Sequence, residues 1–156
     1  MIIDLADLIS NRKNKIDISS WIEFSDEYLQ NTTIRRVNKI HFSGCISKLV
    51  DDSLVLEGIL EGTLILPDDI TLEDFEYTFS SEIRENLEEN IINSQKNIDI
   101  MPILWQNILV EIPLRVVNPK NENVKLQGDG WRLIKEEDVK IENNPLNDLE
   151  ELLRKE

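Results

Sequence analysis

His41 and Cys45 are the only histidine and cysteine in this 156-residue chain. On a strand, positions four apart face the same side, so the two could form a thiol–imidazole pair, a nucleophile beside its base. No neighbouring residue supplies the third group that would orient the ring, and alternation alone often produces same-face pairs. Cys45 reads as a small buried thiol and His41 as a structural histidine. No catalytic residue and no enzymatic activity are expected. Asp68-Asp69 and Glu73-Asp74 gather carboxylates in one stretch. They lack the alternate spacing, central glycine and terminal glutamate of a calcium loop. Gly128-Asp129-Gly130 lacks both the phosphate-loop lysine and the dinucleotide-binding glycine spacing; it reads as a tight turn that hands Trp131 to the core or to a partner. A single cysteine excludes an internal disulfide and a cysteine-based zinc site. No metal and no cofactor is expected. Arg35, Arg36 and Lys39 form the one compact basic cluster. It suits either an rRNA phosphate contact or a charged strand edge that blocks mispairing.

The elements that position these residues follow from periodicity. Ile2, Leu5, Leu8 and Ile9 make a short helical stripe. Beyond a polar break, Ile16, Ile18, Trp21, Ile22 and Phe24 suit a strand running into a helical turn. Val37, Ile40, Phe42, Cys45, Ile46 and Leu49 fit a strand, with Gly44 a bulge or close-approach point. Asp51-Asp52-Ser53 turns the chain. Leu54, Leu56, Ile59, Leu60, Leu64 and Leu66 make a long second strand in which Gly58 and Gly62 permit bending. Pro67-Asp68-Asp69 ends it. Phe75, Tyr77 and Phe79 alternate with Glu76 and Thr78, the pattern of a half-buried third strand. The short connections predict an antiparallel meander.

Residues 84–97 are polar and read as a mobile loop or a short helix. Asp99 caps a helix that tolerates Pro102 in its first turn and ends at Pro113. Its stripe is Ile100, Ile103, Leu104, Ile108 and Ile112. Residues 114–117 could add a strand. Pro145 could open a last short helix with Leu146, Leu149, Leu152 and Leu153 on one face. The expected class is α+β: an antiparallel sheet that could curl into a barrel, packed by one main helix (about 99–112) and short terminal helices. One domain is expected over residues 1–156, with a charged, partly flexible C-terminal segment 132–156.

The net charge is −14, from 31 acids and 17 bases, and hydrophobic residues make up 40%. That hydrophobic share suits a globular fold. No apolar run approaches the ~20 residues of a membrane-spanning helix. The N-terminal stretch has acids and no basic region, so no signal peptide is expected and the cytoplasm is the expected compartment. Residues 1–50 carry seven bases and six acids, whereas residues 57–89 carry eleven acids and Arg84 alone. A field of that sign repels nucleic acid and attracts basic proteins. Glu57, Glu61, Asp68, Asp69, Glu73, Asp74 and Glu76, with Trp131, are the candidate partner surface. Arg35, Arg36 and Lys39 are the candidate rRNA contact.

The order of these segments resembles the YceD family, the large ribosomal RNA subunit accumulation proteins. The family's Leu-Pro-Cys-x-x-Cys/Thr-Leu segment stands here as Leu66-Pro67-Asp68-Asp69-Ile70-Thr71-Leu72, followed by Phe75-Glu76-Tyr77. The family's helix motif is matched by Ile98-Asp99-Ile100-Met101-Pro102 and by Asn107-Ile108-Leu109-Val110-Glu111-Ile112-Pro113-Leu114. Gly128 to Trp131 resembles the Gly-x-Gly-Trp of the Gram-positive branch, and Asn144-Pro145-Leu146-Asn147-Asp148-Leu149 partly matches its usual ending. The resemblance spans most of residues 34–153. This chain departs from the family at the cysteines: Asp68 and Thr71 occupy two of their positions, and the C-terminal cysteine cluster is missing. Zinc is therefore not carried over. The resemblance implies a non-catalytic factor supporting synthesis, processing or stability of 23S rRNA in the large ribosomal subunit. The implied partner is a ribosomal protein or pre-ribosomal particle. Family genes commonly neighbour that of the small basic ribosomal protein L32, so an acidic chaperone for such a protein, without RNA contact, is the alternative.

Overall fold

The chain begins with a short strand, β1 (Ile2–Asp4), and a single helical turn, α1 (Ala6–Ile9). Then come β2 (Lys15–Ile22), the turn α2 (Asp26–Leu29), and three long strands, β3 (Arg36–Lys48), β4 (Leu54–Pro67) and β5 (Asp74–Leu87). After a 3₁₀ turn, β6 (Asn97–Asp99) leads into the main helix α3 (Met101–Glu111). This computed structural model describes residues 1–121, 127–128 and 131–132. Contacts divide the chain into two units, Met1–Asn121 and Glu122–Glu156. In the second, β7 (Gln127–Gly128) pairs antiparallel with β8 (Trp131–Arg132), Gly128 opposite Trp131. The proposed helix around Pro145 lies outside the described residues.

β2, β3, β4 and β5 form one antiparallel sheet in that order. The expected meander is β3–β4–β5, with β2 added on its near side. The barrel expectation is corrected: β2 and β5 do not pair, so the sheet stays open. One face builds the core. Ile18 and Ile22 of β2, Ile40, Phe42 and Ile46 of β3, and Leu56, Leu60 and Leu64 of β4 are all buried there. They join Leu104, Trp105 and Ile108 of α3 in a single buried cluster. With helical residues covering that face, burial does not require the sheet to close. The other face alternates polar, as expected for a one-sided antiparallel sheet.

Four further expectations change. The 2–9 stripe is a strand plus one helical turn, because β1 pairs with the distant β6 (Ile3 opposite Ile98) and takes Ile2 out of the stripe. The polar segment 84–97 is strand through Leu87, since β4 continues beside it as far as Leu54. Residues 114–117 form no strand; instead they cross the β4–β5 connection. α3 begins at Met101, two residues after Asp99. Asp99 closes β6, and its Oδ1 accepts the Met101 N–H at 3.1 Å, satisfying a first-turn donor. Ile100, Leu104 and Ile108 are fully buried, with Ile103 and Ile112 packed against the core.

Candidate functional site

Strand alternation sorts the polar residues onto the open face. Its rows run across the sheet: Asp17, Cys45, Glu57 and Arg84; then Ser19, Ser43, Ile59 and Glu82; then Trp21, His41, Glu61 and Ser80. Farther along, Thr63 pairs with Thr78, and Ile65 lies between Arg36 and Glu76. A register shift between Val37 and Ile40 interrupts β3 there, as a bulge does. Two apolar side chains stand out among these neighbours. Trp21 is 67% exposed and Ile59 is 46% exposed. The Trp21 ring meets His41 edge-on, with centroids 4.9 Å apart. A hollow of about 460 Å³ lies beside them, bordered by Lys39, Glu61, Thr63 and Thr78.

His41 and Cys45 do share a face, but four strand residues separate them by about 13 Å, so no thiol–imidazole pair forms. The Nε2 of His41 instead lies 3.2 Å from Ser19 Oγ, diagonally across β2 and β3. A serine bonded to a histidine is a nucleophile–base arrangement. Here its neighbours on β3 are central-strand residues whose backbone is committed to the β2 and β4 ladders. Among the described residues, the ring donates no hydrogen bond to a carboxylate that would orient it.

The predicted acids separate into three groups. Glu57 and Asp74 lie on the open face but are engaged, Glu57 with Arg84 (3.2 Å) and Asp74 with Arg35 (3.7 Å). Exposed pairs of this kind contribute little to stability. Glu61 and Glu76 lie on the same face, and with Glu82 they take part in no ion pair among the described residues. Glu73 is exposed in the β4–β5 connection, and its carbonyl accepts the Asp68 N–H. With Glu73 in that connection stand Asp69, which is exposed, and Asp68, which is buried. Asp69 accepts the Val116 N–H through Oδ2 at 2.7 Å.

Asp68 is corrected as a surface candidate: it is 0% exposed. Its Oδ1 accepts the N–H groups of Ile70 (2.7 Å) and Thr71 (2.9 Å). Its Oδ2 accepts the Asn118 N–H (2.7 Å) and the Asn121 amide (3.3 Å). The Asn121 amide also reaches Thr71 Oγ1 at 3.4 Å. Asp68 and Thr71, the two positions that the resemblance gives to cysteines, thus meet at one residue in a hydrogen-bonded latch. Asn118 and Asn121 belong to a segment some fifty residues downstream, which no local sequence signal reveals.

The latch forces Leu72 into the left-handed region at φ 62°, with its side chain 74% exposed. That conformation costs a side-chain-bearing residue about 1–2 kcal/mol. Leu72→Gly should therefore raise stability by about 1 kcal/mol, read as a higher urea midpoint with unchanged slope. A lower midpoint would mean the exposed side chain packs more than its exposure indicates.

The basic cluster also proves mixed. Arg35 is tied to Asp74, and Arg36 and Lys39 stand on the face that also carries Glu61 and Glu76. A phosphate approaching them meets carboxylates as well. For Trp131 the description is of the backbone in β8. Sequence reading missed Ser19, Trp21, Ile59 and Glu82. The alternation of Ile16, Ile18 and Ile22 was the available signal, since it puts Trp21 on the polar side.

No family model matches the chain, and no solved structure matches it. The chain is similar to the uncharacterized protein YlbN of Bacillus subtilis (strain 168), 25% identical over 158 residues that cover 92% of this chain and 91% of that protein. Among the described residues, no helix is long and apolar enough to cross a membrane.

Proposed function

We propose that the protein is a non-catalytic, cytoplasmic ribosome biogenesis factor of the YceD type. It supports synthesis, processing or stability of 23S rRNA by binding a protein component of the large subunit. The observation that carries the binding role is the open sheet face. Trp21 and Ile59 remain exposed there beside Glu61, Glu76 and Glu82, which form no ion pair among the described residues. Exposed aromatic residues ringed by uncommitted charge mark a recognition surface. The ribosomal setting comes from the resemblance of Leu66–Leu72, Ile98–Pro102 and Asn107–Leu114 to the family's segments.

Mixed charge around Arg35, Arg36 and Lys39 favours contact with a basic ribosomal protein such as L32 over direct contact with rRNA. Deleting the gene and profiling rRNA tests the assignment. Reduced 23S rRNA and fewer large subunits are expected; normal levels of both would remove the ribosomal role. A pull-down after nuclease treatment separates the two modes of contact. Retained ribosomal protein supports direct protein binding, and loss of every partner supports contact through RNA.

A further inference from the structure

Among the described residues the sheet ends at β5, and the outer edge of that strand has no partner strand. Among the described residues, β4 is the only element that forms a backbone ladder with β5. An edge of 14 residues with free N–H and C=O groups is a template for another strand. Its side chains separate into two sets. Asp74, Glu76, Ser80, Glu82 and Arg84 share the open face, and Phe75 and Tyr77 lie half-buried on the other. Arg84 and Asp74 are already ion-paired. Glu76, Glu82 and Glu85 are exposed and in no ion pair among the described residues. A second copy of β5 laid along this edge would set acid against acid, which opposes self-pairing. The same acids favour a strand of the opposite charge.

We propose that the β5 edge takes an extended basic segment of a partner protein as a fifth strand. Main-chain hydrogen bonds supply the affinity. Lysine or arginine side chains of the guest lie opposite Glu76 and Glu82 on the open face. Apolar side chains of opposite parity cover Phe75 and Tyr77. The guest is therefore a segment alternating basic and apolar residues, the pattern of a half-buried strand. The proposal rests on the protein-binding reading above but not on its ribosomal setting.

The test uses the whole chain and a synthetic peptide of about ten residues alternating valine with lysine or arginine. Amide exchange followed by NMR should slow on outward-facing positions of β5, with little change at Trp21. Glu76→Gln combined with Glu82→Gln should weaken binding about five- to tenfold without changing Tm. Three outcomes would overturn the proposal: no measurable binding, binding without protection of β5, or affinity unaffected by the double variant. Tighter binding of a single-stranded RNA oligonucleotide at the same salt would also count against it. Peptide binding alongside normal 23S rRNA in the deletion strain would keep the edge and discard the ribosomal role. A 23S defect without peptide binding would do the reverse.

Discussion

Gly58→Ala is expected to cost about 4 kcal/mol, a large share of the stability of a domain this size. Gly58 lies directly opposite Gly44 where β3 and β4 cross the core. A Cβ at Gly58 would stand 2.7 Å from the Gly44 Cα, 2.7 Å from the Ser43 carbonyl oxygen and 2.7 Å from the Phe42 ring. Two of those neighbours are backbone atoms held by the ladder, so they cannot yield without breaking register. The fully buried Phe42 ring occupies the space that both glycines vacate, an aromatic laid over a glycine pair. Urea denaturation followed by circular dichroism measures the effect. Ile59→Ala, one residue on but facing outward and partly exposed, should change stability by no more than about 1 kcal/mol. Adding Phe42→Leu to Gly58→Ala should restore little, because the two backbone contacts remain. If Gly58→Ala lies within about 1 kcal/mol of the parent, the strands can separate here and the close approach does not govern the fold.

That glycine pair shows where the sequence was legible. Alternation in Phe75, Tyr77 and Phe79 and the apolar spacing of Leu54 through Leu66 mark long strands with a defined face, because a period of two ties side-chain direction to position. Gly44 stood out as a bulge or close-approach point; the structure makes it a close approach, with Gly58 opposite, and puts the register shift between Val37 and Ile40 instead. The α3 stripe was legible because Ile100, Leu104 and Ile108 recur at helical spacing. The β1–β6 pair was not. Three-residue strands carry too little pattern, and their partners are separated by most of the chain. The same blindness affected the acids. Glu61 and Glu76 face outward as their strand positions require, whereas Asp68 sits in a connection where no period applies. Its direction is set by Asn118 and Asn121, far away in sequence.

Asp68 therefore yields the other large effect. Burial alone would push its carboxyl upward, but the N–H donors of Asn118, Thr71 and Ile70 and the Asn121 amide more than offset this. The pKa is lowered from 3.8 to about 2. A carboxylate held below its unfolded value stabilises the native state fully above about pH 4, and that contribution is lost as pH falls toward 2. Asp68→Asn replaces one acceptor oxygen with a donor that confronts N–H groups already aimed at the site. At neutral pH it should lower Tm by roughly 10 °C or more, because the β4–β5 connection and residues 116–121 lose their tie. Asp68→Ala should do at least as much. The gap between wild type and Asp68→Asn should then narrow as pH is taken from 5 to 2, since protonation disables the same latch in the wild type. Melting curves across that range decide the matter. A gap that stays constant down to pH 2 would mean that the carboxylate's charge contributes nothing and that the latch works by shape alone.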